Sequence, residues 1–307
     1  MPASVIAVAN QKGGVGKTTT AVNLAACLAE RRKNVLLIDL DPQANATSGL
    51  GLPKEPGASL YRALIEGRPA RDVIKASAIT NLAIIPSEID LAGTEVEIAR
   101  MDNYLVRLRD VLHEVILDGG YDFILLDCSP SLGILTMNVL TAAHSVIIPI
   151  QCEYYALEGL SVMTRLIEEL RDSGTNPGLH IEGILMTMYD MRTNLAQQVV
   201  QEVIQHYGDK VYETLIPRNV RLGEAPSFGK PIITYNAYST GAAAYRQFAK
   251  EFVERHREKL GIADESEEPL PTASQVAAMA NHASGSASTT RTEEPVSIEG
   301  GSNHDPS

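Results

Sequence analysis

Residues 10–20 read Asn-Gln-Lys-Gly-Gly-Val-Gly-Lys-Thr-Thr-Thr, and no other stretch of the chain restricts its fold as tightly. An apolar run, Val5-Ile6-Ala7-Val8-Ala9, precedes them, and a segment of helical periodicity, residues 18–30, follows. A strand that turns through glycines into a helix lets the backbone close around an anion. Gly13, Gly14 and Gly16 allow successive N–H groups to face inward onto phosphate oxygens. The helix starting near Lys17 adds the positive end of its dipole. The expected phosphate-binding loop is therefore Gln11, Lys12, Gly13, Gly14, Val15, Gly16, Lys17, Thr18 and Thr19. In such a loop the lysine at 17 reaches the β- and γ-phosphates of ATP and the Thr18 hydroxyl ligates Mg²⁺.

Two further segments fit the same site. Leu36-Leu37-Ile38-Asp39-Leu40-Asp41 is an apolar run delivering two carboxylates at its end, where ligands bind in open α/β sheets. Side chains alternate along a strand, so Asp39 and Asp41 can face the same way. Phe123-Ile124-Leu125-Leu126-Asp127 has the form of a Walker B strand, four apolar residues and then an Asp suited to hold Mg²⁺ through water.

The loop departs from the common P-loop pattern GxxxxGK[ST]: Gln11 stands at the first glycine position and Lys12 follows it. A lysine there, with Asp39-Leu40-Asp41-Pro42-Gln43, Asp127-Cys128-Ser129-Pro130 and the late loop Ile216-Pro217-Arg218-Asn219-Val220-Arg221-Leu222-Gly223-Glu224-Ala225-Pro226-Ser227, resembles the deviant Walker A ATPases. Within that group the chain is most similar to the ParA/Soj family of chromosome- and plasmid-partitioning proteins, over roughly residues 4–260. The resemblance implies that Lys12 crosses to a partner's nucleotide in an ATP-dependent homodimer, the logic of an arginine finger. It implies that Asp41 orders the hydrolytic water, that Thr18, Asp39 and Asp127 belong to the magnesium surroundings, and that Pro217 and Asn219 pack beside the adenine. It further implies binding of non-specific double-stranded DNA, a ParB-like centromere-binding partner that stimulates hydrolysis, and a cytoplasmic, nucleoid-associated protein.

Strands are expected at 5–9, 35–39, 82–86, 123–127, 146–150, 181–188 and 211–216. Helical patterns lie between them, including 156–171, 195–206 and 240–260. This alternation predicts an α/β fold of the P-loop NTPase type, a mostly parallel twisted sheet with helices on both faces, over residues 1–262. Residues 263–307 are rich in Ser, Ala, Pro and Glu, and a disordered acidic tail is expected there. The tail holds eight acidic residues against Arg291, so it carries −7 of the net −12 and leaves the body only mildly acidic. A local basic face remains compatible with that balance, and Arg192, Arg221 and Arg246 are the candidate DNA contacts. Without interleaved aromatic residues, binding should be to the duplex backbone and independent of sequence.

Other relatives of the nucleotide machinery fit less well. A MinD-like, membrane-associated positioning ATPase is the main alternative, but it needs a basic amphipathic end where this chain is acidic. Cys27, Cys128 and Cys152 form no CxxC pair, so neither a shared iron–sulfur cluster nor a disulfide framework is expected, and each reads as a small core residue. The first residues show no basic region or cleavage site, and no apolar run is long enough to span a membrane.

Overall fold

The computed structural model describes residues 2–260, and the expected tail from 263 onward lies outside them. Seven strands form one sheet: β1 (Ser4–Val8), β2 (Val35–Leu40), β3 (Lys75–Ala76), β4 (Leu82–Ile85), β5 (Phe123–Cys128), β6 (Ser145–Gln151) and β7 (His180–Thr187). Their order is β3-β4-β2-β5-β1-β6-β7. Every pairing is parallel except that of β3 with β4.

Strand side chains alternate between faces, and here both faces are apolar, so each strand feeds two cores. Val5, Ala7, Leu36, Ile38, Ile124 and Leu126 enter one; Ile6, Val8, Leu37, Leu125 and Ile147 enter the other. The helices are α1 (Lys17–Glu30), α2 (Asn45–Gly49), α3 (Tyr61–Glu66), α4 (Thr94–Ile98), α5 (Arg107–Leu117), α6 (Ile134–Ala142), α7 (Ala156–Asp172), α8 (Asn194–Tyr207), α9 (Val220–Glu224), α10 (Ile232–Tyr235) and α11 (Thr240–Leu260). The first core is closed by α3 through α8, the second by α1 and α11 with the short helices before it. From β1 the chain crosses to β2 on one side and later adds β6 and β7 on the other. β1 thus stands at a topological switch point, and the loop leaving it opens into the crevice where such sheets bind ligands.

The six strands expected up to residue 188 are present with small shifts at their ends. The seventh, 211–216, is not a strand. Val211 bridges Ile184, Pro217 bridges Tyr189, and the Tyr212 and Ile216 amides donate to β7, so the segment tracks the edge of the sheet. Between them the ladder is interrupted. The Glu213 and Thr214 amides donate instead to the two oxygens of the buried Glu251 of α11, at 2.7 and 2.9 Å, and the Thr214 hydroxyl joins at 2.6 Å. A side chain takes the hydrogen bonds a strand would have used, and apolar patterning carries no sign of that.

Candidate nucleotide-binding site

The loop after β1 has the conformation its glycines anticipate. Gly14 and Gly16 lie at φ of 74° and 90°, the left-handed region where a Cβ is strained. Gly16 caps α1 without a side-chain acceptor, so the first amides of the helix stay open toward the loop. The loop is fastened at both ends. Asn10 donates to Pro149 O at 2.8 Å and accepts the Lys12 amide at 2.9 Å. The Thr187 hydroxyl lies 2.9 Å from Val15 O and 3.0 Å from Ile150 O, joining loop, β6 and β7. Lys17 is buried and donates to Lys12 O at 2.9 Å. Burial lowers its pKa, against Cys128, Asp127 and Asp41, which favour the charged form.

Three carboxylates converge opposite it. Asp39 and Asp127 are register partners at the ends of β2 and β5, and both are fully buried. The Thr47 amide and hydroxyl donate to one oxygen of Asp39 at 2.8 and 2.7 Å, and the Asp41 amide reaches the other at 3.2 Å. Neither oxygen of Asp127 has a hydrogen-bond partner, although Thr18 lies close enough to lower its pKa. Burial raises both carboxyls, Asp39 to about 6; the charge of Asp41 adds to the rise at Asp39, and those of Asp39 and Asp41 add to it at Asp127. An orphaned buried carboxylate beside a second one fits a divalent cation, whose charge would reverse both shifts. Asp41, itself buried, accepts the Gln43 amide on one oxygen at 2.9 Å, and no hydrogen bond to the other is seen among the described residues.

Lys12 points away from this centre. Its ammonium pairs with Glu153 at 3.1 Å, and the other oxygen of Glu153 accepts from Gln151 at 2.5 Å. Both ends of the pair are partly exposed, which makes it worth only about 0.2–1 kcal/mol and easy to break. Tyr154 and Tyr155 stand exposed beside it, their rings edge to face at 5.3 Å. A Cβ on Gly13 would meet nothing within 4 Å, so the chain itself makes no steric demand for glycine there.

Beside the loop, a cavity of about 220 Å³ is lined by Gly16, Thr19, Thr187, Pro217, Asn219 and Tyr245, among others. Pro217 and Asn219 therefore line a cavity shared with the loop. The Asn219 amide group is already engaged, however: it accepts from the Arg221 amide at 2.8 Å and donates to Thr240 at 2.7 Å. It lines the cavity wall and caps α9.

The three candidate DNA contacts are all ion-paired. Arg192 grips Asp190 at 2.7 and 2.9 Å, and Arg221 pairs with Glu224 at 2.7 Å. Arg246 is bidentate on Glu30, with both contacts at 2.8 Å, and also donates to Ala237 O. That ties α11 to α1, so Arg246 has a structural duty whatever else it does. Sequence reasoning missed Glu153, Thr47 and Thr187; each lies far along the chain from its partner or on an element without a motif. The three cysteines are buried, as expected, and burial pushes the thiols up, Cys152 to about 12.

A family model described as an AAA domain matches residues 3–181. The chain is 54 % identical over 248 residues to the sporulation initiation inhibitor protein Soj of Bacillus subtilis, covering 80 % of this chain and 97 % of Soj. It is 50 % identical over 256 residues to the chromosome partitioning protein ParA of Myxococcus xanthus, covering 83 % and 89 %. Among solved structures it is similar to one described as cobyrinic acid a,c-diamide synthase of Mycobacterium smegmatis with bound ADP and magnesium. That match has 35 % identity, a TM-score of 0.72, and coverage of 87 % and 100 %. The septum site-determining protein MinD of Pyrococcus horikoshii, complexed with Mg-ADP, matches at 27 % identity and a TM-score of 0.66, covering 81 % and 95 %.

Proposed function

The chain belongs to the Soj/ParA family of chromosome-partitioning ATPases, and from that premise we propose that it is an ATP- and magnesium-dependent switch that moves DNA. The observation that carries this reading is the pairing of a phosphate-binding loop with a second, outward-turned lysine, above a buried carboxylate that lacks any partner. The loop amides from Gly13 to Thr19, with Lys17, would hold the triphosphate. Thr18 and Asp127 would hold magnesium, with Asp39 beside them. Bound there, magnesium supplies charge neutralisation at the phosphates. Asp41, with one oxygen that takes no hydrogen bond among the described residues, would orient the attacking water.

Lys12 would act across a homodimer. Its ammonium is about one weak surface pair away from freedom, and the open space over Gly13 suits the close approach of a second loop. Lys12→Ala should therefore leave ATP affinity within about twofold, since Lys17 carries the phosphate contacts. Light scattering should show no ATP-dependent dimer, and turnover should fall to background. A dimer formed at the parent ATP concentration would remove Lys12 from that role.

The dimer would bind duplex DNA without sequence preference, in the cytoplasm over the nucleoid, and a ParB-like partner would trigger hydrolysis and release. Because Arg192, Arg221 and Arg246 each hold a carboxylate, a bound phosphate must share the guanidinium with that partner or displace it. Each alanine variant should lower the salt slope of DNA binding by about one per contact, or about two in a symmetric dimer. Arg246→Ala should in addition cost about 1 kcal/mol of stability through the lost Glu30 pair, seen as a Tm lower by about 2–4 °C. Unchanged slopes in all three would move the DNA surface elsewhere. The test of the whole reading is a gel shift on random-sequence DNA with ATP, with ADP and with neither. Binding only with ATP is expected; binding in every state, or in none, would refute it.

An amide-forming activity fed by glutamine would need a reactive thiolate, and three buried, up-shifted cysteines do not provide one. Among the described residues no helix is long and apolar enough to cross a membrane.

A further inference from the structure

Thr47 lies on α2, outside every motif described above, yet it is one of the most fully used side chains in the molecule. It is completely buried. Its hydroxyl donates to Asp39 at 2.7 Å, and its amide donates to the same carboxylate oxygen at 2.8 Å. The same hydroxyl accepts the Ser87 amide, which follows β4, at 2.9 Å. One hydroxyl has one proton to give, so the Ser87 amide fixes the rotamer in which that proton points at Asp39. The arrangement joins three places: the end of β2, the start of α2 and the exit of β4. Asp39 in turn faces Asp127 across the β2–β5 ladder, where two carboxylate oxygens have no partner.

We propose that Thr47 is a positioning residue for magnesium-dependent nucleotide binding, fixing the rotation of the Asp39 carboxylate beside Asp127, with Ser87 locking the holder. The proposal rests on the reading of Asp39 and Asp127 as the magnesium side of the site. Thr47 touches neither cation nor phosphate. Two hydrogen bonds converge on one oxygen of Asp39, and only the Asp41 amide, at 3.2 Å, restrains the other. With the hydroxyl lost, the carboxylate keeps the backbone contacts of Thr47 and Asp41 but loses its shortest donor, so its rotation beside Asp127 is held less tightly.

The experiment is a magnesium titration of the binding of a fluorescent ATP analogue to the full chain. Thr47→Val, which keeps the shape and removes the hydroxyl, should raise the half-saturating magnesium concentration by about tenfold, the worth of one hydrogen bond to a charged group. Thr47→Ser, which keeps the hydroxyl, should restore most of the magnesium response. Binding of the analogue in excess EDTA should be the same for all three proteins. A merely structural Thr47 would weaken binding with and without magnesium alike, and Ser would not rescue it. Thr47→Val with the parent magnesium dependence overturns the proposal. Should that variant fail to fold, Thr47→Ala removes the same hydroxyl from a helix position that tolerates alanine, and the same titration decides. Asp39→Asn separates the two layers. If it leaves the magnesium dependence unchanged, the magnesium reading of Asp39 itself falls; if it shifts the dependence while Thr47→Val does not, only the role of Thr47 falls.

Discussion

Lys17→Ala will bind ATP about 10²- to 10⁴-fold more weakly than the parent chain, because two charge-assisted contacts to phosphate disappear together, each worth about 1.5–3 kcal/mol. The residue is buried against its own loop, with its ammonium on Lys12 O and three acidic groups within electrostatic reach. Removing it takes away a positive charge that faces Asp41 and Asp127, so phosphate would be brought toward less compensated carboxylates. Calorimetry with ATP and magnesium measures the loss, and a thermal melt without nucleotide controls for folding. The folded state forfeits a hydrogen bond to Lys12 O and the charge beside Asp41 and Asp127, so the melt must be run to separate lost stability from lost affinity. An affinity within tenfold of the parent would mean that the loop does not cradle phosphate.

Asp41→Ala should separate binding from turnover. The carboxylate gives one oxygen to the Gln43 amide and leaves the other without a hydrogen bond among the described residues, which leaves it able to align a water without building the phosphate cradle. Misplacing a nucleophile costs about 10²-fold or more in rate while binding persists. The variant should accumulate as an ATP-bound dimer, stay on DNA and ignore the stimulating partner. Turnover assayed beside sizing of the same samples reads both halves. Hydrolysis at the parent rate, or failure to dimerise with ATP, would mean that the roles of Asp39 and Asp41 have been exchanged. Asp39 differs in kind: both its oxygens already hold donors, and it faces Asp127 in the sheet, not the solvent.

Much of this site can be read from the chain because local chemistry dictates it. Glycines at 14 and 16 are required by a backbone that turns left-handed, and carboxylates at 39 and 127 end apolar strands that pair side by side. Wherever a role depends on a partner distant in sequence, the reading stops. Glu153 meets Lys12 across 141 residues, and nothing near either residue announces it. Arg246 shares a helix with Lys250, which suggests a cationic stripe, but the fold places Glu30 under Arg246 and Glu254 beside Lys250. Segment 211–216 has the composition of a strand, and a single carboxylate from α11 redirects two of its amides.

That last substitution of partners governs how copies of the chain can associate. A sheet edge with unpaired amides is a template on which another chain can add a strand and polymerise. Here the long outer strand, β7, is shielded by a segment bridged to it at Val211 and to Tyr189, just past its end, at Pro217. The shield in turn offers no continuous ladder, because Glu251 has withdrawn Glu213 and Thr214 from it. At the opposite edge β3 is only two residues long and runs antiparallel to its neighbour. Growth by strand addition is thus blocked at both margins. Backbone pairing between copies of the chain along either margin would require the described residues there to rearrange first.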